Sequence, residues 1–115
     1  MTLAILENGL SDRELDRLAR NAREATEFLK ALGHEGRLMI LCYLAGAERS
    51  VTELEDLLAA RQPAVSQQLA RLRIEGLVDT RRDGKTIYYK IADKRTSKAV
   101  EFLYDTFCKN SDDPC

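Results

Sequence analysis

The chain has 115 residues, 44% of them apolar, which is enough for one buried core and too short for two, so residues 1–115 read as a single domain. Charged residues make up 32% and the formal net charge is −1; no apolar run approaches the ~20 residues of a membrane span, which excludes a membrane partner. Met1 to Leu6 lacks a basic start and meets Glu7 too soon for a secretory leader, so a cytoplasmic protein is expected.

From Ser11 to Leu32, Leu15, Leu18, Ala19, Ala22, Ala25, Leu29 and Leu32 form one stripe at helical spacing, with Ser11 ahead of Asp12 and Glu14 as the N-cap. After Gly33 a second helix carries Leu38, Ile40, Leu41 and Leu44. It is apolar on most sides and therefore central to the core, and it ends near Gly46. Thr52-Glu53-Leu54-Glu55 has the form of a capping box, with Val51 as a staple residue, and starts a short helix that stops around Ala60. Gln62-Pro63 opens a fourth helix with Val65, Leu69 and Leu72 on its buried side, closed by Gly76. Leu77–Arg82 and Lys85–Ile91 then read as two strands turned by Asp83-Gly84. From about Thr96 a last helix carries Ala99, Val100, Phe102, Leu103 and Phe107. Residues 1–10 and 110–115 are expected to be flexible tails.

Four helices, a two-stranded hairpin and a final helix make an α+β chain that is mostly α. The helix at Thr52 and the helix from Pro63 form a helix-turn-helix, with the hairpin as a wing. The stripes on the first and last helices are broader than one core covers, so a homodimer through those two helices is expected.

Charge is segregated. Between Arg61 and Arg95 nine Lys/Arg face four Asp/Glu, net +5, leaving −6 for the rest of the chain. A basic region of this kind supplies phosphate contacts to a polyanion, although a solvated surface has the same composition. A helix that enters the major groove needs short polar side chains near its N-terminus, where they reach base edges without holding the backbone off the DNA. Gln62, Ala64, Ser66 and Gln67 fit that need, and Arg71 and Arg73 farther along suit phosphates. Arg81, Arg82 and Lys85 flank the hairpin turn and make its tip basic, suited to the DNA backbone or minor groove. Each feature alone is common on surfaces; their order and spacing together point to double-stranded DNA.

The segments Ala31-Leu32-Gly33-His34-Glu35-Gly36-Arg37, Leu54-Glu55-Asp56-Leu57, Gln62-Pro63-Ala64-Val65-Ser66-Gln67-Gln68-Leu69, Gly76-Leu77-Val78 and Arg82-Asp83-Gly84-Lys85-Thr86-Ile87-Tyr88-Tyr89 resemble those of the ArsR/SmtB winged-helix repressors, over roughly Leu15 to Lys109. The resemblance implies a homodimer paired through the first and last helices, a palindromic operator and an inducer that releases DNA. It does not fix the inducer. Where the family's metal sensors carry Cys-Val-Cys or Cys-Val-Gly, this chain has Ser50-Val51-Thr52. Where they carry Asp-x-His and His-x-x-Glu, it has Asp93 with Arg95 and Thr106 with Lys109. One carboxylate beside cations does not hold a transition metal, so neither metal nor cofactor is expected.

Cys42, Cys108 and Cys115 are odd in number and include no CxxC element, which argues against a disulfide scaffold and a zinc ribbon. Cys42 in the second helix and Cys108 at the end of the last resemble the thiol pair of the family's persulfide-responsive branch (SqrR and BigR), in which reactive sulfur species join two nearby thiols through added sulfur atoms. The resemblance makes these two the sensing thiols. From the residues alone, Cys42 is equally a small buried hydrophobe, Cys115 a dispensable terminal residue and His34 a capping side chain; Tyr43 and Phe107 are neighbours of the thiol pair or plain core. Two other functions fit: an arsenite or metalloid sensor that uses three thiolates, and a winged-helix interaction module that binds no DNA. An enzyme is not expected, because a single His completes no catalytic constellation and no Gly-rich phosphate loop is present.

Overall fold

The computed structural model describes residues 9–58 and 64–108. They fall into two compact units, divided between Lys30 and Ala31.

The first unit is helix α1 (Asp12–Leu32) as far as Lys30. Ser11 opens it with a reciprocal capping box: Glu14 N–H donates to Ser11 Oγ (3.3 Å) and Ser11 N–H donates to Glu14 Oε1 (3.1 Å). The Ser11 hydroxyl, which donates to Glu14 Oε1 (2.8 Å), and the Ser11 N–H hold the Glu14 carboxyl below the usual carboxylate range. Leu15, Leu18 and Leu29 of the apolar stripe are exposed in the single chain.

The second unit contains α2 (Glu35–Gly46), β1 (Arg49–Ser50), α3 (Val51–Leu58), α4 (Val65–Ile74), β2 (Val78–Asp83), β3 (Thr86–Ile91) and α5 (Lys94–Phe107). Helix α2 is the centre, as its all-round apolar sequence requires: Ile40, Leu41 and Leu44 are buried, and α3, α4, α5 and β3 all pack on it. Leu54 and Leu58 of α3, Val65, Leu69 and Leu72 of α4, Val78 of β2 and Val100 of α5 complete the core. His34 is the N-cap of α2, its Nδ1 accepting from Arg37 N–H (3.4 Å).

The wing is larger than the two-stranded hairpin expected. The sheet is antiparallel with order β1-β3-β2, and β1 pairs Arg49 with Tyr89 and Ser50 with Tyr88. That pairing also moves the cap of α3. Ser50, placed by its strand partner, caps the helix with Glu53 (Glu53 N–H to Ser50 Oγ 3.2 Å, Ser50 N–H to Glu53 Oε1 3.1 Å), two residues ahead of the expected Thr52 box. The hairpin loop is Gly84-Lys85, one residue past the expected turn, because Asp83 still pairs with Thr86. Gly84 has φ +64, at the first loop position where a two-residue hairpin takes glycine. Helix α4 starts at Val65; its N-cap is Ala64 in the left-handed region (φ 62, ψ 37), and Gln62, Pro63 and the expected end of α3 near Ala60 lie outside the described residues. Both expected tails lie largely outside them too.

Candidate functional site

Two sites emerge in the second unit. The first is built on α4 and the wing. Val65, Leu69 and Leu72 turn one side of α4 into the core, which leaves Ser66, Gln67 and Arg71 exposed on the other, with Ala64 exposed at its N-terminal end. Arg71 Nε donates to Glu75 Oε1 (2.8 Å), an exposed i,i+4 pair that a phosphate can displace at little cost. Arg82 and Lys85 are exposed around the hairpin loop. Arg81 is also exposed but is held by Glu48, whose carboxyl it keeps below the usual range. The structure thus brings Ser66, Gln67 and Arg71 together on one helix face and gathers Arg81, Arg82 and Lys85 on one hairpin; Gln62 lies outside the described residues. Glu48 was not singled out by sequence reasoning, since its partner stands 33 residues away and only folding joins them.

The second site lies where α2 packs on α5. Cys42 is a half-buried free thiol, and burial pushes its pKa up. It borders a cavity of about 360 Å³ with Ala45, Gly46, Val100, Glu101, Tyr104 and Asp105. It also borders a smaller concavity with Met39, Tyr43 and Tyr104. Tyr104 therefore lines both cavities with Cys42, and its carbonyl accepts from the N–H of Cys108 (2.8 Å), the C-cap of α5. Cys42 is a free thiol, so it is not joined to Cys108 in the structure. Tyr43 lies beside Cys42, whereas Phe107 is exposed and lines neither cavity. Tyr104 went unnoticed in the sequence, although its i,i+4 spacing to Cys108 was a usable signal. Cys115 is outside the described residues.

Asp93 has a structural task. It is the N-cap of α5, its Oδ1 accepting from Thr96 N–H (2.8 Å), and that bond holds its carboxyl below the usual range. Among the described residues no three His, Cys, Asp or Glu side chains are placed to hold a metal ion, and no helix is long and apolar enough to cross a membrane.

Residues 34–80 match the pattern of the bacterial regulatory protein, arsR family. A biofilm growth-associated repressor of Agrobacterium fabrum is 47% identical over 94 residues, which is 82% of this chain and 80% of that protein. The chain belongs to the ArsR family. Its winged-helix fold is shared with solved ArsR-type structures. The transcriptional repressor BigR from Xylella fastidiosa superposes with a TM-score of 0.74 at 39% identity, over 85% of this chain and 97% of that one. A homodimeric winged helix-turn-helix DNA-binding domain from Mycobacterium bovis superposes with a TM-score of 0.62 at 31% identity, over 89% and 91%. An ArsR-family chain of this kind is a DNA-binding transcriptional regulator, and the family is not one of enzymes.

Proposed function

We propose that this chain is a cytoplasmic repressor that binds a palindromic operator as a homodimer and leaves it when Cys42 and Cys108 are joined by reactive sulfur species. The reading of α4 rests on its exposed Ser66 and Gln67 beside a fully buried opposite face, the arrangement that a groove-reading helix needs. Arg71, Arg82 and Lys85 supply phosphate contacts around it. The dimer reading draws on apolar side chains that the single chain leaves exposed, Leu15, Leu18 and Leu29 on α1 and Phe102 and Phe107 on α5, and on the homodimeric state of the Mycobacterium bovis relative.

The observation that carries the switch is Cys42, a free thiol open to cavities at the α2–α5 contact that are also lined by Tyr104, one helical turn before Cys108. The chemistry balances without an outside oxidant. A donor persulfide passes its outer sulfur to the Cys42 thiolate and leaves as a thiol; repetition lengthens the chain by one sulfur. The Cys108 thiolate then attacks a sulfur inside that chain, and the terminal sulfur leaves as hydrogen sulfide. The link ties α5 to α2 and biases the dimer between two arrangements of its reading heads. Both thiols must start reduced.

The experiment is operator binding by the fully reduced protein, before and after treatment with an organic persulfide, followed by intact mass and peptide mapping. Wild type is expected to gain a Cys42–Cys108 link containing extra sulfur and to lose about 100-fold in affinity, equivalent to about 2.7 kcal/mol. Cys42→Ser and Cys108→Ser stay bound, and Cys115→Ser responds normally. Full release of Cys108→Ser refutes the bridge; a deaf Cys115→Ser with arsenite release of wild type replaces it with a three-thiolate metalloid site.

A further inference from the structure

The basic residues of the wing are not equivalent. Arg82 and Lys85 are exposed at the tip, but Arg81 is engaged on an edge and on a face. Its Nε donates to both carboxylate oxygens of Glu48 (2.9 and 3.0 Å), and its Nη2 donates to Oε1 as well. Its guanidinium carbon stands 4.7 Å from the centre of the Tyr88 ring. The sheet explains the reach. Arg81 of β2 is the register partner of Tyr88 on β3, and Tyr88 is the partner of Ser50 on β1. Arg81 therefore lies across the central strand and meets the residue that leads into β1. That strand is itself fixed to the helical body: Arg49 Nε donates to the carbonyl of Tyr43 in α2 (3.3 Å), and its guanidinium lies 5.6 Å from the Tyr43 ring centre. One line of contacts thus runs from α2 through β1 to the outer strand of the wing.

We infer that Arg81 is a positioning residue: by pairing with Glu48 across Tyr88 it sets the angle of the wing, so that it serves DNA binding through the placement of Arg82 and Lys85 and makes no phosphate contact of its own. The inference rests on the reading of the wing as a DNA-facing element. A guanidinium suits this task because its planar fork matches a carboxylate bidentately while its face stacks on an aromatic ring; a lysine ammonium acts only as a point charge, without fork or planar face. The sign of the Glu48 effect is diagnostic. A carboxylate beside a DNA-binding hairpin repels phosphates, so removing its charge strengthens binding unless the carboxylate holds something that binding needs.

The test measures operator affinity of the full chain over a range of salt concentrations for wild type, Arg81→Ala, Arg81→Lys, Glu48→Gln, the Glu48→Gln/Arg81→Ala double variant and Arg82→Ala. Positioning predicts that Glu48→Gln and Arg81→Ala each weaken binding by about five- to tenfold, an exposed pair counted in both halves of a dimer, and that the double variant is no weaker than either. Their salt slopes match wild type, and Arg81→Lys behaves as Arg81→Ala. Arg82→Ala lowers the slope by about 0.9 for each phosphate that Arg82 neutralises in wild type. Tighter binding by Glu48→Gln, a reduced slope in Arg81→Ala, or rescue by Arg81→Lys overturns the inference. An unchanged slope in Arg82→Ala overturns instead the DNA-facing wing on which it rests.

Discussion

The N-cap of α5 offers a perturbation whose size and pH dependence both follow from the structure. Asp93 Oδ1 accepts the N–H of Thr96, one of the helix's first donors, at 2.8 Å, and Arg95 lies 3.9 Å from the same carboxylate. Asp93→Ala removes the cap and is expected to cost about 1 kcal/mol at pH 7. For a chain of 115 residues that is a fall of roughly 4 °C in Tm. Asp93→Asn keeps an acceptor of equal capping quality and loses only the charge, a contribution reduced by the 43% exposure of the Asp93 side chain, so it retains most of the stability. The folded carboxyl is held below its ordinary value, so the charge contribution is complete above the ordinary aspartate range near about pH 4 and disappears as the pH falls through the lower folded value. The gap between wild type and Asp93→Asn must therefore close on acidification, while Asp93→Ala stays lower. Thermal unfolding at one fixed protein concentration, at pH 7 and in acid, decides it. Equal stabilities of Asp93→Ala and wild type at pH 7, or a gap to Asp93→Asn that widens in acid, refute the reasoning.

Three other outcomes are expected. Cys42, whose thiol burial pushes up, is alkylated by iodoacetamide at pH 7 more slowly than free cysteine, with a rate that keeps rising above the ordinary thiol range; quantitative peptide mapping reads it. Leu69→Ala empties a wholly buried position on α4 and costs about 2–5 kcal/mol by urea unfolding, with operator binding abolished through the core and not through any DNA contact of its own. Leu18→Glu on α1 and Phe102→Glu on α5 each place a charge on a large exposed apolar side chain; sedimentation is expected to show monomers, and operator affinity to collapse because two half-sites are no longer engaged together.

How much of this was legible in the sequence depended on whether the signal was local. The buried side of α4 is written as Val65, Leu69 and Leu72, so its exposed face could be named residue by residue. Asp83-Gly84-Lys85 announced a hairpin, and only the loop register slipped by one, since the glycine needs φ +64 and either neighbour could share the turn. Strand β1 escaped because two residues carry no alternation; Arg49 and Ser50 become a strand only through Tyr89 and Tyr88. Without it the sequence analysis took Thr52-Glu53-Leu54-Glu55 as the box, whereas the strand pairing places Ser50 to cap the helix with Glu53. The engagement of Arg81 by Glu48 was invisible for the same reason, and so was the cavity that Tyr104 shares with Cys42, although the i,i+4 spacing of Tyr104 to Cys108 was a signal left unused.

Among the described residues strand β2 has one neighbour in the sheet and an open flank of backbone donors and acceptors, the usual template for self-association. Four of its six residues, Asp79, Arg81, Arg82 and Asp83, are charged, with both signs represented. Two wings brought edge to edge would have to desolvate those charges, which keeps the edge from amyloid-like stacking on its own kind; one of the four, Arg82, is also a proposed phosphate contact. A variant that neutralises several of them to weaken DNA binding removes gatekeepers as well. Its colloidal behaviour, followed by light scattering at the working concentration, belongs beside every affinity measured with it.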